Sequence, residues 1–539
     1  MNKMLKGLLV AAMALSAAHV NAHTSKTYLA SRPVMMDLAI ESATFNELTN
    51  EKSKDRWGAD FQVTSFYQAS RNPLALASYF GVNHNDFFIT NNVNNIGCGD
   101  VNSTAFMNEV NEAGTARVSL KPTQATYGFR LNYHQDLGIA FDGLYFRVKM
   151  PVVMVENNMN LAITGNNTTR FYTYPYGPQG QVGNLTNWFE GFSNQVANWQ
   201  ADAEATGAGL PAAGYALALN AQYGKIANGV QSAGGVADVD VMLGYNLVDN
   251  DTYRFALNLG LTIPTGNVPA GVTVFEPIYG NGGHFAFGAG YEFSAEMWNS
   301  GHSSIDFNAA LDYRYAFASN ETRTFGIGAT LDENGNPISA VPWGQFYQIG
   351  ITTENCNAQY FNVAANVTTL QASITPGSMV DAVAGLTYKN GGMVFDVGYN
   401  FFFKETGSAS INNFIPAGAD SAWADNQYSY LQAANAFWVN TGNATTFGVD
   451  SASSTAAHGT VFSSPAAAAE GPIRITQAMV DTTSVLASAM THKVYSQIGY
   501  IFKDFACPVF ISAGGELEFA SNNAAVQTWG INLKTGISF

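Results

Sequence analysis

Charged residues in this chain recur at every second position inside short stretches that are otherwise apolar. Arg147 and Lys149 stand in GLYFRVKMPVVM, and Asp238 and Asp240 stand in ADVDVMLGYNL. Because successive side chains of a β-strand point to opposite faces, each pair shares one face of a strand while apolar residues occupy the other. If such a face borders water, its fixed charges determine the selectivity between cations and anions and orient dipolar solutes.

The same alternation recurs in twelve segments of 9 to 14 residues. They are 57–68, 124–136, 143–154, 237–247, 252–264, 283–295, 304–317, 380–388, 392–404, 494–503, 508–520 and 528–539. All nineteen charged residues in these segments fall on the polar face. A charge at the middle of a bilayer costs about 2–4 kcal/mol, so this distribution favours an apolar face in lipid.

The composition agrees with a sheet that has one face in lipid and the other in water. Charged residues make up only 12% of the 539 residues, aromatic residues make up 13%, and the mean hydropathy is near zero. These values exclude a helical membrane protein and a disordered chain. Without residues 1–22 the formal charge is 22 minus 40, or −18, which argues against nucleic acid as a partner.

Residues 1–22 have the pattern of a secretory signal peptide. Lys3 and Lys6 form a positive start, an apolar core follows, and Val20 and Ala22 are the small residues of a cleavage site. The alternative is a membrane anchor, but the apolar core is shorter than the ~20 residues that span a bilayer.

The segments are long enough to cross a membrane and must close on one another. A tilted strand needs about 9–11 residues to cross the hydrocarbon, where no solvent can satisfy unpaired backbone groups. On the side of the C-terminus the connections are short: 137–142, 248–251, 296–303, 389–391 and 504–507. Four connections on the other side are long: 69–123, 155–236, 318–379 and 405–493. The prediction is therefore all-β, a transmembrane antiparallel up-and-down β-barrel with twelve supported strands.

Two further hairpins would raise the number of strands to sixteen. One pairs 343–351 with 360–368, and the other pairs 76–82 with 116–121. The alternative for both is β structure that stands above the membrane.

The chain resembles a Gram-negative outer-membrane β-barrel protein of the porin type. The signal peptide, the repeated alternating strands and a C-terminal aromatic residue carry the resemblance over residues 57–539. In that family an alternating last strand that ends in Phe is recognised by the barrel-assembly machinery, which the resemblance implies as a partner together with outer-membrane lipid. The matching residues here are Trp529, Ile531, Leu533, Ile537 and Phe539, while Thr535 departs from the pattern.

The charges on the polar faces are the candidate pore-lining residues. They are Arg130, Arg147, Lys149, Asp238, Asp240, Glu292, Asp306, Asp312, Arg314, Asp396, Glu516, Glu518 and Lys534. The bases of two neighbouring strands and the acids of strands further round would set up a transverse field across a water-filled lumen. The alternative is that these residues pair with their neighbours and fill the interior.

A second candidate is an amphipathic helix predicted inside a loop, over 184–200. It would narrow the pore with Trp188, Phe189, Glu190, Phe192 and Trp199. The alternative is a helix that packs on the rim, on another loop or at the membrane interface. The segment 23–56 before the first strand is predicted as a periplasmic cap or plug, or as a short helix at the barrel mouth.

The sequence gives little support for an enzyme. The histidines show no HExxH spacing, no GxSxG stretch occurs, and no catalytic residue, metal site or cofactor is predicted. Cys98 and Cys356 form a loop disulfide or remain free thiols.

The functional hypothesis is a porin, monomeric or homotrimeric, for passive diffusion of small hydrophilic solutes with mild cation preference. The first rival is a plugged transporter for hydrophobic or specific substrates, suggested by the apolar stretch 29–46. The second rival is a structural or adhesive surface protein, which inward aromatic residues that block the lumen would favour; the candidates are Tyr145, Phe402, Tyr495 and Phe510.

Overall fold

In the computed structural model, twelve antiparallel strands follow the predicted segments within a few residues. Their bounds are β1 Ala59–Ser70, β2 Thr123–Asp136, β3 Leu144–Asn158, β4 Val239–Asp249, β5 Tyr253–Ile263, β6 Ala286–Asn299, β7 Ser303–Ala316, β8 Gly377–Asn390, β9 Met393–Lys404, β10 Ala489–Phe502, β11 Val509–Ala520 and β12 Thr528–Ser538. The structure describes residues 26–30, 32–41, 58–81, 86–90, 101–102, 108–110, 115–165, 168–171, 181–190, 222–250, 252–327, 343–346, 348–352, 358–416, 477, 480–482, 487–521 and 524–539. The predicted signal peptide and both loop cysteines lie outside these residues.

Each strand pairs with the next one along the chain, and the last strand pairs with the first. The closing register runs from Asp60 opposite Ser538 to Ser70 opposite Thr528. Beyond it, the amides of Ala59 and Phe539 donate to each other's carbonyl oxygens at 2.7 and 2.8 Å. Closure leaves no unpaired edge in the wall, which confirms the predicted up-and-down barrel.

The two ends of the barrel differ in their connections. The near end, where β1 begins and β12 ends, carries only short turns between strands. At the far end, the short strands Ser319–Thr324, Thr369–Thr375 and Ser408–Pro416 form a sheet above β7, β8 and β9. No helix among the described residues is long and apolar enough to cross a membrane.

Smaller elements of the far end pack around one hydrophobic cluster, the outer core. Its helices are Pro73–Phe80, Leu185–Glu190 and Ala364–Thr368, with a 3₁₀ turn at Gly344–Phe346. The short strands that contribute to it are Asp86–Thr90, Thr115–Ser119 and Ala162–Gly165. The remaining short strands are Val101–Asn102, Asn108–Val110, Thr168–Phe171, Gln181–Asn184, Gly326–Ile327, Gln348–Thr352, Ala358–Val363 and Val480–Asp481. The aromatic centre of the outer core is Trp343, whose ring lies 4.5 Å from Phe87 and 5.0 Å from Phe189.

The two additional hairpins do not join the barrel in the described residues. Gln348–Thr352 and Ala358–Val363 pair with each other but not with the wall. The strand predicted at 76–82 is wrong, because a helix occupies Pro73–Phe80. Pro73 opens this helix, and the Asn72 side chain caps it by accepting from the Ala75 amide. Its predicted partner instead forms Thr115–Ser119, which pairs with Asp86–Thr90.

Large inward side chains lie against glycines on neighbouring strands. A Cβ atom at Gly244 would fall 2.0 Å from the Tyr145 ring, and one at Gly398 would fall 2.4 Å from the Tyr495 hydroxyl. A Cβ atom at Gly536 would likewise meet the Phe510 ring at 2.4 Å. These glycines therefore let bulky residues lie along the wall.

Candidate functional site: the occupied lumen

The outside of the barrel is a continuous apolar surface. Leu259, Ile498 and Leu533 are representative, each about half exposed although fully apolar. Aromatic residues gather at both edges of this band: Tyr67, Tyr127 and Trp529 at the far end, and Tyr500, Phe502 and Phe505 at the near end. An apolar band between aromatic girdles on a closed barrel is the surface of a protein that spans an outer membrane. The barrel lies in an outer membrane.

The inside of the barrel carries the charges, as the alternation predicts. Arg130 on β2 and Lys149 on β3 are each only 1% exposed, and Asp381 on β8 is 0% exposed. β8 is the sixth strand after β2 in the twelve-strand ring, so Arg130 and Asp381 stand on opposite walls. The lumen therefore has a basic and an acidic side.

Residues 26–30 and 32–41, here called the lumen segment, run from the far end into the space between these walls. The segment contains two 3₁₀ turns, Val34–Met36 and Leu38–Ile40. Its first residues contact the far end, where the Thr27 hydroxyl donates to the Thr324 carbonyl at 2.6 Å. Its last residues reach β2, β3 and β12 inside the barrel. This differs from the expected open, water-filled lumen.

Arg32 binds the acidic side of the wall. Its guanidinium lies 2.7 Å from the Asp381 carboxylate on β8 and 3.3 Å from the Glu518 carboxylate on β11. The same group donates to the Met36 carbonyl at 2.9 Å and lies over the Phe402 ring at 5.0 Å. The guanidinium thus fastens the segment to three strands at once.

Asp37 binds side chains of β10 and β1. Its carboxylate accepts from the Lys493 ammonium on β10 at 2.6 Å and from the Gln68 amide on β1 at 3.3 Å. The backbone amide of Leu38 donates to Asp381 at 3.0 Å. Arg32 and Asp37 also face each other at 3.6 Å.

Glu41 binds the basic side of the wall. Its carboxylate lies 2.6 Å from the Lys149 ammonium and 3.3 Å from the Arg130 guanidinium. The Lys534 ammonium donates to the carbonyls of Ile40 and Glu41 at 3.3 and 3.4 Å. The segment thus carries a cation to the acidic wall and an anion to the basic wall.

The charged groups of the segment have shifted proton affinities. Burial raises the pKa of Asp37, but Lys493, Arg32 and Arg130 outweigh this and hold the pKa below its ordinary value. Burial lowers the pKa of Arg32, but Asp381, Asp37 and Glu518 outweigh this and raise it. Both groups therefore stay charged at neutral pH.

Apolar side chains of the segment occupy matching patches of the wall. Met35 and Met36 cluster with Ala286, Ala316, Met379 and Phe402. Leu38 and Ala39 cluster with Val383 and Tyr495. The apolar stretch that suggested a hydrophobic substrate is in part used for this packing.

The other predicted pore-lining residues also face inward and are paired. The Arg147 guanidinium lies 2.5 Å from Glu292, and the Arg314 guanidinium lies 3.1 Å from Asp240 and also contacts Asp312. These contacts match the alternative in which interior charges pair and fill the lumen.

Five further candidates complete the interior set. Asp306 binds Lys389 at 2.7 Å, Asp396 accepts from the Thr387 hydroxyl, and Glu516 lies 3.0 Å from Lys493. Glu518 and Lys534 bind the lumen segment as described above.

Asp238 has a different role from pore lining. It follows Gln231–Val236, a short strand that pairs with the far half of β3 while β4 pairs with the near half. Its buried carboxylate accepts from the amides of Gly266 and Asn281 at 3.1 and 2.5 Å. Asp238 therefore fixes the loop 264–285 to the wall at an interruption of the strand.

The predicted constriction helix is only partly described. A helix covers Leu185–Glu190, and Phe189 on it is fully buried in the outer core rather than in the lumen. Glu190 is half-buried on the same helix, to which Trp188 also belongs, whereas Phe192 and Trp199 lie outside the described residues.

Four inward aromatic residues are the candidates to block the lumen if the chain is a structural or adhesive surface protein. Tyr145, Phe402, Tyr495 and Phe510 are all buried inside the barrel. Three of them lie against wall glycines, and Phe402 lies under Arg32. They narrow the lumen from the wall, while the lumen segment is what crosses it.

A cavity remains beside the segment toward the far end. Its volume is about 70 Å³, room for several water molecules. Arg32, Asp37, Lys493 and Glu518 all line it, together with Gln124. Four of the charged groups that hold the segment therefore border this cavity.

Comparisons with known proteins give remote likenesses only. No protein-family model matches the chain, and no curated protein matches it. An outer-membrane channel from Pseudomonas putida F1 aligns at 10% identity and a TM-score of 0.32, covering 90% of this chain and 96% of that one. The Pseudomonas putida toluene transporter aligns at 8% identity and a TM-score of 0.31, covering 96% of each chain. The fold is assigned from the chain's own strand pairing.

Sequence reasoning missed Arg32, Asp37, Asp381 and Lys493 as site residues. Asp381 lies in the most weakly alternating segment, and Lys493 lies one residue before a predicted strand. The available signal was the set of isolated charges within the apolar stretch 29–46. Charges in such a stretch need buried partners, which only the interior of the barrel supplies.

Proposed function

We propose that the chain is an outer-membrane channel for small hydrophilic solutes whose lumen is closed by the lumen segment. The observation that carries the proposal is the set of ion pairs from Arg32, Asp37 and Glu41 to opposite walls. Ion pairs can exchange for water and solute ions, whereas a continuous apolar core cannot. The wall left behind is lined with charged and polar groups, which suits hydrophilic rather than hydrophobic passage.

Planar-bilayer conductance tests this proposal. We expect the full chain to be mostly closed and a chain lacking residues 23–41 to conduct steadily. Heat-dependent migration on gels establishes that each variant has formed a barrel. Because the deletion removes buried contacts, Asp37→Asn with Glu41→Gln is the second variant, and it loosens the segment without removing it.

Arg117→Gln is the matched control, since Arg117 is half exposed and binds Asp86 outside the barrel. It changes one charge and should leave conductance unchanged. Equal conductance of the full chain, the deletion and the double variant would overturn the proposal, and would favour a structural role if all three were closed.

A further inference from the structure

Arg32 and Asp37 together present two opposite charges to one small area of the wall. Their charged groups are 3.6 Å apart, and each also binds the wall. The guanidinium contacts Asp381 and Glu518, and the carboxylate contacts Lys493. In this area the segment behaves as a tethered zwitterion.

The wall groups that receive this pair are close to one another. The Lys493 ammonium lies 3.7 Å from the Glu518 carboxylate, and the Thr491 and Thr528 hydroxyls donate to that carboxylate at 2.5 and 3.3 Å. Glu518 is therefore held in position from the wall alone. Without the segment, the wall would keep a site for a cation beside a site for an anion.

The cavity beside the segment gives a solute access to these groups. It is lined by Arg32, Asp37, Lys493 and Glu518, and also by residues 525 and 526 near the far end. A solute in this cavity can contact both members of the ion pair before the segment moves.

We propose that this wall site binds a small zwitterion of the α-amino-acid type, which replaces the Arg32–Asp37 pair and releases this part of the lumen segment from the acidic side, while Glu41 stays on the basic side. The ligand's carboxylate takes the place of Asp37 on Lys493. Its ammonium takes the place of Arg32 on Asp381 and Glu518. This inference rests on the proposed channel function and adds the class of its ligand.

A solute with a single charge cannot make the same exchange. A free anion can replace Asp37 on Lys493, but Arg32 then still holds the segment to Asp381. A free cation can replace Arg32 but leaves Asp37 bound to Lys493. An unpaired charge in this buried site is strongly unfavourable, so both charges must be replaced together.

The test measures the conductance of the full chain in planar bilayers at constant ionic strength while one solute is added to the far-end side. The probes are L-alanine, sodium L-lactate, which lacks the ammonium, and ethylammonium chloride, which lacks the carboxylate. We expect L-alanine to raise the open fraction saturably, at a concentration about tenfold below that of either single-charge analogue.

Variants separate the ligand site from the gate. Lys493→Gln should raise conductance without ligand, because Asp37 loses its partner, and should lose any further response to L-alanine. Isothermal titration of L-alanine should show the same loss of binding. Arg32→Gln should raise conductance without ligand. Arg117→Gln, outside the barrel, should respond as the full chain does.

Three outcomes have different meanings. If Arg32→Gln conducts but L-alanine acts no better than lactate or ethylammonium, the zwitterion site is overturned and the gate stands. If L-alanine has no effect on the full chain, the site is likewise overturned. If Arg32→Gln and the deletion of residues 23–41 are as closed as the full chain, the channel function itself is overturned.

Discussion

Arg32, Asp37 and Glu41 of the lumen segment are each held by groups on the wall, so single residues control how firmly the segment is bound. Asp37 is the clearest example, because it is 3% exposed and faces Lys493, Arg32 and Arg130. The anions Asp381, Glu516 and Glu518 lie near the same cations and compete for them. Removing the charge of Asp37 therefore weakens the segment and leaves Lys493 to the wall acids.

Acid should loosen the lumen segment through Asp37. Its pKa in the folded chain is lowered, so the stabilisation by its ion pairs is present above the ordinary value of about 4. That stabilisation is lost as the pH falls below this value toward the folded-state pKa. We expect the open fraction in planar bilayers to rise between about pH 4 and pH 3.

Asp37→Asn isolates this contribution from the other carboxylates. The variant should conduct more than the full chain at neutral pH and show a smaller further rise in acid. Superimposable pH profiles of the two chains would show that Asp37 does not contribute to closure.

At the scale of the strands, alternation determines which residues face the lumen but not which of them touch. The period of two placed Arg130, Lys149 and Glu518 correctly on the inner face. Their partners lie on strands far apart in sequence or in residues 26–41, which carry no strand pattern. The helix at Pro73–Phe80 was missed for a related reason, since LASYFGV contains strand-forming residues and only Pro73 and Asn72 indicate a helix.

Inward glycines are a second feature of the strands with a direct test. An alanine Cβ at Gly244 would lie 2.0 Å from the Tyr145 ring, which must then leave the wall and move toward Arg147 and Arg254. We expect Gly244→Ala to lower the free energy of unfolding by about 1–3 kcal/mol, as overpacking does. Urea unfolding of the barrel in detergent measures this.

Gly515→Ala is the matched control on β11. Its Cβ would have only the Gly530 carbonyl oxygen nearby, at an ordinary 3.6 Å. A loss of stability as large as that of Gly244→Ala would show that any added methyl group in a strand is harmful and that the Tyr145 contact is not the cause.

The last strand combines closure with the predicted assembly signal. Trp529, Ile531, Leu533, Ile537 and Phe539 all point outward and are exposed. The closing contacts of Phe539 with Ala59 use only backbone atoms. Replacing the Phe539 side chain should therefore leave the finished barrel intact.

We expect Phe539→Ala to lower the amount of barrel inserted into the membrane while inserted molecules conduct as the unchanged chain does. Phe505→Ala is the control, because Phe505 is 59% exposed at the same end against 58% for Phe539. Quantifying heat-modifiable barrel in isolated outer membranes measures insertion. An equal loss with Phe505→Ala would show that interfacial anchoring, rather than a terminal signal, explains the effect.

At the scale of the molecule, the sequence predicted where the protein resides better than how its lumen is used. Closure, lipid-facing surface and strand number follow from local periodicity, which is visible along the chain. Occupation of the lumen depends on contacts such as Arg32 with Asp381, across 349 residues. Contacts between residues so far apart in the chain produce no periodic pattern in the sequence, so the sequence does not predict them.

The charge of the whole lumen determines the final prediction, ion selectivity after opening. The lumen segment contributes Lys26 and Arg32 against Asp37 and Glu41, so its departure leaves the net charge of the interior unchanged. Buried acids and buried bases are equal in number on the twelve barrel strands, eight of each, while the chain without residues 1–22 carries a formal charge of −18. A balanced wall has little selectivity of its own, so the acidic protein around the lumen favours cations over anions only modestly. We expect the chain lacking residues 23–41 to show a reversal potential in a potassium chloride gradient with the sign of modest cation preference. Asp306→Asn with Asp396→Asn should reduce that potential, and a reversal potential of anionic sign in the deletion would contradict the predicted cation preference.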